Sequence, residues 1–434
     1  MTLVIRSIVA FIFLLVLAGT ASAKLYLDVD QPKALFPIAI VDFKNLDQTP
    51  DSLDISRTLA RIVSEDLAFT GLFKILEPES FLEDPRRSGI TERDTDFQSW
   101  SAIGAQGLVK GGFTRNKDEI IIEARLFDVQ QARLLAGRRY VGGQETLRRI
   151  GHKFSNLIYS LLTGEEGVFE TKIAYVRSEN AQKEVYLIDF DGYNEKRFSY
   201  HGSIALSPEW SPKGEWITFT SYKKGTPALY TKDYASREEK VVSRFPDLNI
   251  APAWSPDGKQ IAVTLGKDGN PEIYLMDPEG HNLQRLTNDR GIDVSPAWSP
   301  DGKSMAFVSN RSGSPQIYVM DRNGGRVQRI TFRGNYNTEP DWSPRGDKIA
   351  YSSMVEGRFQ ICIISPDGTE DMQLTWEGNN ESPKWSPNGR HIVFCSTRAG
   401  EKCLYTMMAN GTRVAKITRK GSSCSPDWST SLPF

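Results

Sequence analysis

Trp298-Ser299-Pro300-Asp301-Gly302-Lys303-Ser304-Met305-Ala306-Phe307 decides the fold, because the chain repeats it. Close copies begin at Trp210, Trp254, Trp342 and Trp385, a truncated one begins at Trp428, and the spacings are 44, 44, 44, 43 and 43 residues. A fixed period of this length means stacked supersecondary units, and it suits four-stranded propeller blades. Each repeat reads as strands A to D. Strand A ends in P-x-W-S, and Pro-Asp-Gly then reverses the chain, because Pro fixes φ and Asp and Gly tolerate a tight turn. Strand B is Met305-Ala306-Phe307 or its equivalent. Strand C runs through Gln316-Ile317-Tyr318-Val319-Met320-Asp321, and strand D closes near a Thr such as Thr331. The tryptophans and the aspartates after strand C (Asp189, Asp277, Asp321) read as scaffold.

The ends of the array carry the count. A B-C-D set (Ile173-Ala174-Tyr175, Tyr186 to Asp189, Lys196 to Ser199) precedes the first W-S-P, and a lone strand A, Ser425-Pro426-Asp427-Trp428, follows the last full repeat. Six blades result if the strand Ser425 to Ser429 pairs beside Ile173 to Val176. Joining ends so far apart costs roughly 5 kcal/mol of loop entropy. Burying one Trp, about 25 cal/mol per Å² over some 150–250 Å², offsets it. Closure also removes two open sheet edges.

Residues 24–165 have a different pattern. Strand Phe36 to Phe43, helix Ile55 to Phe69, strand Phe73 to Leu76, a polar loop from Glu79 to Asp96, and a helix Phe97 to Ala105 come first. Strands Gly107 to Thr114, Glu119 to Phe127 and Arg133 to Val141 and a helix Glu145 to Leu162 complete a small α/β (α+β) domain. The Gly-Glu-Glu-Gly stretch at 164–167 is the hinge into the propeller, 166–434. Before all this, Arg6, an apolar run from Ile8 to Ala18 and Ala21-Ser22-Ala23 describe a secretory signal over residues 1–23, so an exported protein is expected. Lys24 to Lys33 follows as a short alternating segment.

With 53 Lys and Arg against 54 Asp and Glu, the net charge is −1, which does not suit a nucleic-acid binder. The four cysteines, Cys362, Cys395, Cys403 and Cys424, lack C-x-x-C spacing. The repeat alignment puts Cys395 and Cys403 on two strands flanking one turn. A cross-strand disulfide between them is expected, with buried free thiols as the alternative. There is no G-x-S-x-G, and His152, His201, His281 and His391 are scattered without ligand spacing, so no catalytic residue, metal or cofactor is assigned. The S-P-D-G turn is superficially like a sialidase Asp-box, but here the Trp precedes the turn. What remains is a recognition surface: the D-to-A connections, which gather small polar, acidic and apolar residues at one mouth of the central channel.

The signal, the small domain and six W-S-P-D-G…I-Y-x-M-D-x-x-G…L-T repeats together resemble the TolB family, periplasmic components of the Tol-Pal system of Gram-negative bacteria. The clustered cysteines depart from that family. The resemblance implies a non-enzymatic adaptor, monomeric by itself, that binds the lipoprotein Pal at the channel mouth and TolA through its mature N-terminus. Its implied roles are outer-membrane integrity and cell division, with colicins as further partners. Carried over by motif position, the Pal-facing residues are Leu248, Asn249, Ala251, Asp293, Val294, Ser295, Asn337, Thr338, Glu339, Asn380 and Glu381. The TolA-facing ones are Lys24, Leu25, Tyr26, Leu27, Asp28, Val29 and Asp30. A glycosidase-like or quinoprotein-like propeller enzyme or ligand-binding module is the alternative.

Overall fold

The amino-terminal domain begins with β1 (Phe36–Ile40), buried at every position but Pro37, and β2 (Lys44–Asn45). This computed structural model describes residue 27 and residues 34–47, 50–51, 53–84, 87–116 and 119–432; the signal and most of the segment 24–33 lie outside them. Helix α1 (Ile55–Phe69) buries the predicted stripe Ile55, Leu59, Ile62, Val63 and Leu67. The Asp51 carboxylate accepts from the Ile55 and Ser56 amides at 2.9 and 3.0 Å, satisfying first-turn donors, and Gly71 with φ 71° turns the chain away at the other end. Then follow β3 (Phe73–Ile75), α2 (Phe97–Ala102), β4 (Gly107–Asn116), β5 (Glu119–Asp128), β6 (Arg133–Gly142) and α3 (Leu147–Thr163), closed by Gly164 at φ 77°.

The sheet order is β3-β1-β4-β5-β6, parallel at β1 and antiparallel from β4 to β6, with β2 beside β4. The polar loop across 79–96 is pinned over this sheet. Buried Lys110 donates to Glu83 at 2.7 Å and to Ser88 at 3.1 Å, and the Trp100 indole also donates to Glu83. Nothing in the pattern of that loop announced a buried ion pair.

Six four-stranded antiparallel sheets follow among the described residues, and the closure is the expected one. Strand A of blade 1 is Ser423–Trp428, paired with its strand B, Lys172–Glu179, so that Trp428 faces Ile173 and Asp427 faces Ala174. The strands A of blades 2 to 6 are Ala205–Trp210, Asn249–Trp254, Asp293–Trp298, Asn337–Trp342 and Asn380–Trp385. Closure is reinforced by side chains. The Trp428 indole donates to Thr171 Oγ1 at 2.8 Å, and Ser429 exchanges hydrogen bonds with Lys172.

The repeat motif is wiring. In blade 4, Ser299 Oγ donates to Asp301 at 2.7 Å and accepts from Ser304 N at 2.9 Å, while Gly302 takes φ 66°. Asn388, in the Asp position of blade 6, does the same work. Asp321 accepts from the Asn323 and Gly325 amides, both at 2.9 Å, which confirms the turn after strand C as structural.

The expected Cys395–Cys403 bridge is not formed. The disulfide joins Cys395 to Cys424, with Cα atoms 5.2 Å apart, and Cys362 and Cys403 are buried free thiols. The reason is strand register. Cys395 faces Leu404 and Cys403 faces Ser396, so the two cysteines are one step out of phase and point to opposite faces of the blade.

The two domains share one continuous core. Ile150, Phe154 and Ile158 of α3 belong to the same buried cluster as Phe190, Val393, Cys395 and Trp428 of the propeller. Phe69 at the end of α1 stacks on His391 at 4.2 Å and meets Phe190 edge-on at 5.3 Å. These propeller residues lie at or beside the A–B and C–D turns, so the amino-terminal domain covers the face opposite the D-to-A connections.

Candidate channel-mouth interface

Every strand A carries a bulge one residue before its proline. At these sites Ser207, Ala251, Ser295, Glu339, Ser382 and Ser425 all take left-handed φ between 49° and 54°. The strand register slips there, for example between Val294 and Ala297. None is glycine, so each costs free energy that the surrounding sheet must supply, and such strain concentrates at functional positions. With the six prolines that follow, they line a central cavity of about 120 Å³.

Blade-to-blade hydrogen bonds hold the ring. Ser295 N donates to Thr264 Oγ1 at 3.2 Å, and Ser382 N donates to Ser352 Oγ at 3.0 Å. Ser382 N and Oγ also both donate to the Glu339 carboxylate, at 2.8 Å each.

The predicted partner-facing residues separate into two groups. Leu248, Ala251, Val294, Ser295, Thr338, Glu339 and Glu381 are partly exposed at the mouth. Asn249, Asp293, Asn337 and Asn380 are buried, and their side chains bond to the D-to-A connection, to the same blade, or to strand C of the preceding blade. Asn249 donates to Phe245 O at 2.7 Å, Asp293 accepts from Arg311 at 2.7 Å, and Asn337 and Asn380 donate to Gln316 and Gln360 at 2.8 Å. These four, assigned by motif position, are buried here and support the connection. Of the segment 24–30, only Leu27 is described. Its amide donates to Leu162 O at 2.8 Å, and its side chain packs on the shared core.

Two features of the face went unread in the sequence. Phe332 and Trp376 are 72 % and 71 % exposed, and Tyr200 is 69 % exposed; each follows the residue that closes strand D. Below the ring, the residue between Pro and Trp in strand A is, in blade order, Asp427, Glu209, Ala253, Ala297, Asp341 and Lys384, and the four charged ones meet one another. Lys384 lies 2.8 Å from Glu209 and 3.3 Å from both Asp341 and Asp427. Burial and the neighbouring Asp427 push the Glu209 carboxyl up to about 8. Burial also raises Asp341. Burial opposes the Lys384 ammonium, but the three carboxylates outweigh it and hold its pKa well above the usual value. Asp427 and Asp341 also accept the amides of Trp210 (2.6 Å) and Trp385 (2.8 Å) in the next blade. The charge sits at one repeat position, which an aligned reading of the residue after each proline would have exposed.

On the opposite face, buried His152 of α3 sits 2.9 Å from Asp66 of α1 and 3.6 Å from Asp191 of the propeller, and Arg148 pairs with Asp191. Burial works against a charged His152, yet Asp66 and Asp191 raise its pKa, while burial raises that of Asp66. Burial lowers His391 to about 4.

A closed six-bladed β-propeller capped on one face by an α/β domain, with its other mouth built from strained strand A bulges, defines a class of propeller proteins with a free mouth. Residues 159–432 match the family described as the TolB beta propeller domain, and residues 25–135 match the TolB amino-terminal domain. The chain therefore belongs to the TolB family. It is 40 % identical over 227 residues to the Tol-Pal system protein TolB of Desulfosudis oleivorans, covering 52 % of each chain. It is 41 % identical over 177 residues to that of Geobacter sulfurreducens, covering 41 % of this chain and 40 % of the relative. The matched stretch thus spans about half the length or less of these curated relatives. The crystal structure of TolB from Acinetobacter baumannii aligns with a TM-score of 0.79 at 32 % identity, covering 92 % of this chain and 97 % of that one. A chain of a nidogen/laminin complex aligns with a TM-score of 0.52 at 8 % identity over 61 % of this chain, a likeness of fold alone.

Proposed function

We propose that this chain is a non-enzymatic periplasmic adaptor of the Tol-Pal envelope system. It binds a Pal-type lipoprotein at the propeller mouth and a TolA-type inner-membrane protein through Lys24 to Asp30, and so serves outer-membrane integrity and cell division. The observation that carries the first half is the mouth itself. It lies on the face the amino-terminal domain leaves free, and rigid strands present Leu248, Val294, Thr338 and Glu381 around it as a mixed apolar and polar rim. Rigid presentation reduces the ordering cost of binding. Calorimetry with the soluble domain of the lipoprotein tests it. Replacing Val294→Glu and Thr338→Arg together should weaken binding at least about tenfold, the scale of losing one well-buried contact. Unchanged affinity would refute the mouth as the site.

Leu27 supports the second half. A segment of alternating sequence whose Leu27 amide bonds to the end of α3 can instead add to a partner's sheet edge, so the two binding events are coupled by competition for it. Deleting residues 24–33 should abolish binding of the TolA-type domain and leave lipoprotein binding intact or tighter. Unaltered TolA-type affinity would remove the assignment.

A further inference from the structure

The repeat gives every blade an equivalent position on strand B, and at three seams it meets the next blade's left-handed ring residue. It is occupied by Val176, Thr220, Thr264, Val308, Ser352 and Cys395. Thr264 accepts from Ser295 N and Ser352 accepts from Ser382 N, and Cys395 Sγ has the same geometry, with Ser425 N at 3.2 Å. At this one seam, between blade 6 and strand A of blade 1, the hydrogen-bonded contact is supplemented by a covalent bond to Cys424.

Cys424 occupies the repeat position of Val294, Thr338 and Glu381, the residues that form the mouth. Its Sγ lies 3.9 Å from Ser382 Oγ and Cys395 Sγ lies 3.2 Å from Ser425 N, so the bridge sits beside two neighbouring members of the channel ring. The strand it holds, Ser423–Trp428, is the one that closes the propeller and brings Asp427 to Lys384. Cys395 is buried and Cys424 is partly exposed, so an incoming thiol reaches the bridge from the mouth side at Cys424.

We propose that the Cys395–Cys424 disulfide is a redox-conditional clasp on ring closure. Oxidised, it fixes the closing strand and the Ser382–Ser425 sector of the mouth. Reduced, it leaves that sector to non-covalent contacts and weakens partner binding there. The binding half rests on the reading of the mouth given above. The step is ordinary exchange. The thiolate of a dithiol reductant attacks Cys424 Sγ, and Cys395 leaves as a thiolate and takes a proton. The second thiol of the reductant then displaces Cys424. Two electrons pass to the protein sulfurs and the reductant ends as a disulfide. Cys403 and Cys362 take no part: Cys403 points to the other face of its blade, and burial pushes the Cys362 thiol up to about 12, out of the reactive range.

Hydrogen exchange read by mass spectrometry tests this on the full chain, oxidised and after dithiothreitol. Reduction should speed exchange of the amides in 423–428 by roughly a hundredfold, the scale of releasing a cross-linked loop of this length. Strands A of blades 3 and 4 should not change. Affinity for the lipoprotein domain should fall roughly tenfold in parallel, a loss of one ordered sector of the contact. Cys424→Ser should behave as the reduced protein, and Cys403→Ser as the oxidised one. Exchange in 423–428 within a factor of about two of the oxidised protein would overturn the clasp, because closure would then owe nothing measurable to it. Faster exchange with unchanged lipoprotein affinity would overturn its action on the mouth. Absence of lipoprotein binding in both forms would overturn the function proposed above, and the exchange data alone would then decide the clasp.

Discussion

The two faces of this propeller are built by opposite means. The mouth is made by repetition: six strands place a strained residue, a proline and an inward side chain at equivalent points, and the backbone does the shaping. The covered face is made by particular side chains with no counterparts in other blades, such as His391 against Phe69, Arg148 against Asp191, and Arg390 against Glu165. The contrast teaches where each kind of substitution should register. A mouth side chain can change without disturbing the scaffold, whereas a buried particular on the other face or at the closing strand cannot.

The sharpest way to break that contrast is at the closing strand. Trp428→Ala removes a buried indole and its bond to Thr171, and should cost about 3–5 kcal/mol in urea unfolding. The equivalent change at Trp342, which is only partly buried, should cost visibly less. Equal losses would mean that closure is no more demanding than any other blade.

Next is Lys384→Met, which leaves Glu209, Asp341 and Asp427 facing one another. Removing one partner of a buried ionic group costs about 3–5 kcal/mol, and the partial hydration of Lys384 brings the expectation to about 2–3 kcal/mol. The loss should shrink as pH falls toward about 8, because the Glu209 carboxyl, pushed up to about 8 even beside Lys384, takes up its proton at a higher pH still once the ammonium is gone, which relieves the repulsion.

On the covered face, two histidines should titrate with opposite sign. His391 has its folded pKa lowered to about 4, so the folded state resists its protonation. Stability should fall as pH drops from about 6.5 toward 4, by up to about 3 kcal/mol. His391→Gln should flatten that slope. His152 has its folded pKa raised, so its contribution is full below the unfolded value and is lost as pH rises through the folded one; His152→Gln should remove that alkaline loss. Denaturant midpoints across pH for the two variants check both.

The smallest effect belongs to the mouth. Phe332→Ser should change stability by less than about 0.5 kcal/mol, because the ring is already largely in water. A larger loss in the thermal midpoint would show that the rim is structural after all.

What was legible in the sequence follows the same division. Trp spacing counted the blades and located the closing strand because a blade's hydrogen-bond pattern forces its repeat. Helix α1 was exact because its apolar stripe has one period. The left-handed ring was not legible, since Ser, Ala and Glu at those sites carry no conformational signature of their own. The burial of Asn249, Asp293, Asn337 and Asn380 was not legible, because a buried amide or carboxylate and an exposed one are the same letter. The disulfide was misplaced by a single residue of register, which in a strand reverses the direction of the side chain. The ties across the covered face join residues far apart in the chain, 43 positions for Arg148 and Asp191 and 86 for His152 and Asp66, and no local pattern holds them.

The position between each proline and tryptophan has one more consequence. From blade 1 to blade 6 it spells Asp, Glu, Ala, Ala, Asp, Lys, so blades 3 and 4 bring no charge where the other four bring one. A tube with six equal walls would accept an incoming chain in any of six rotations. This one has a compass bearing: its wet side and its dry side tell the visitor which way to turn.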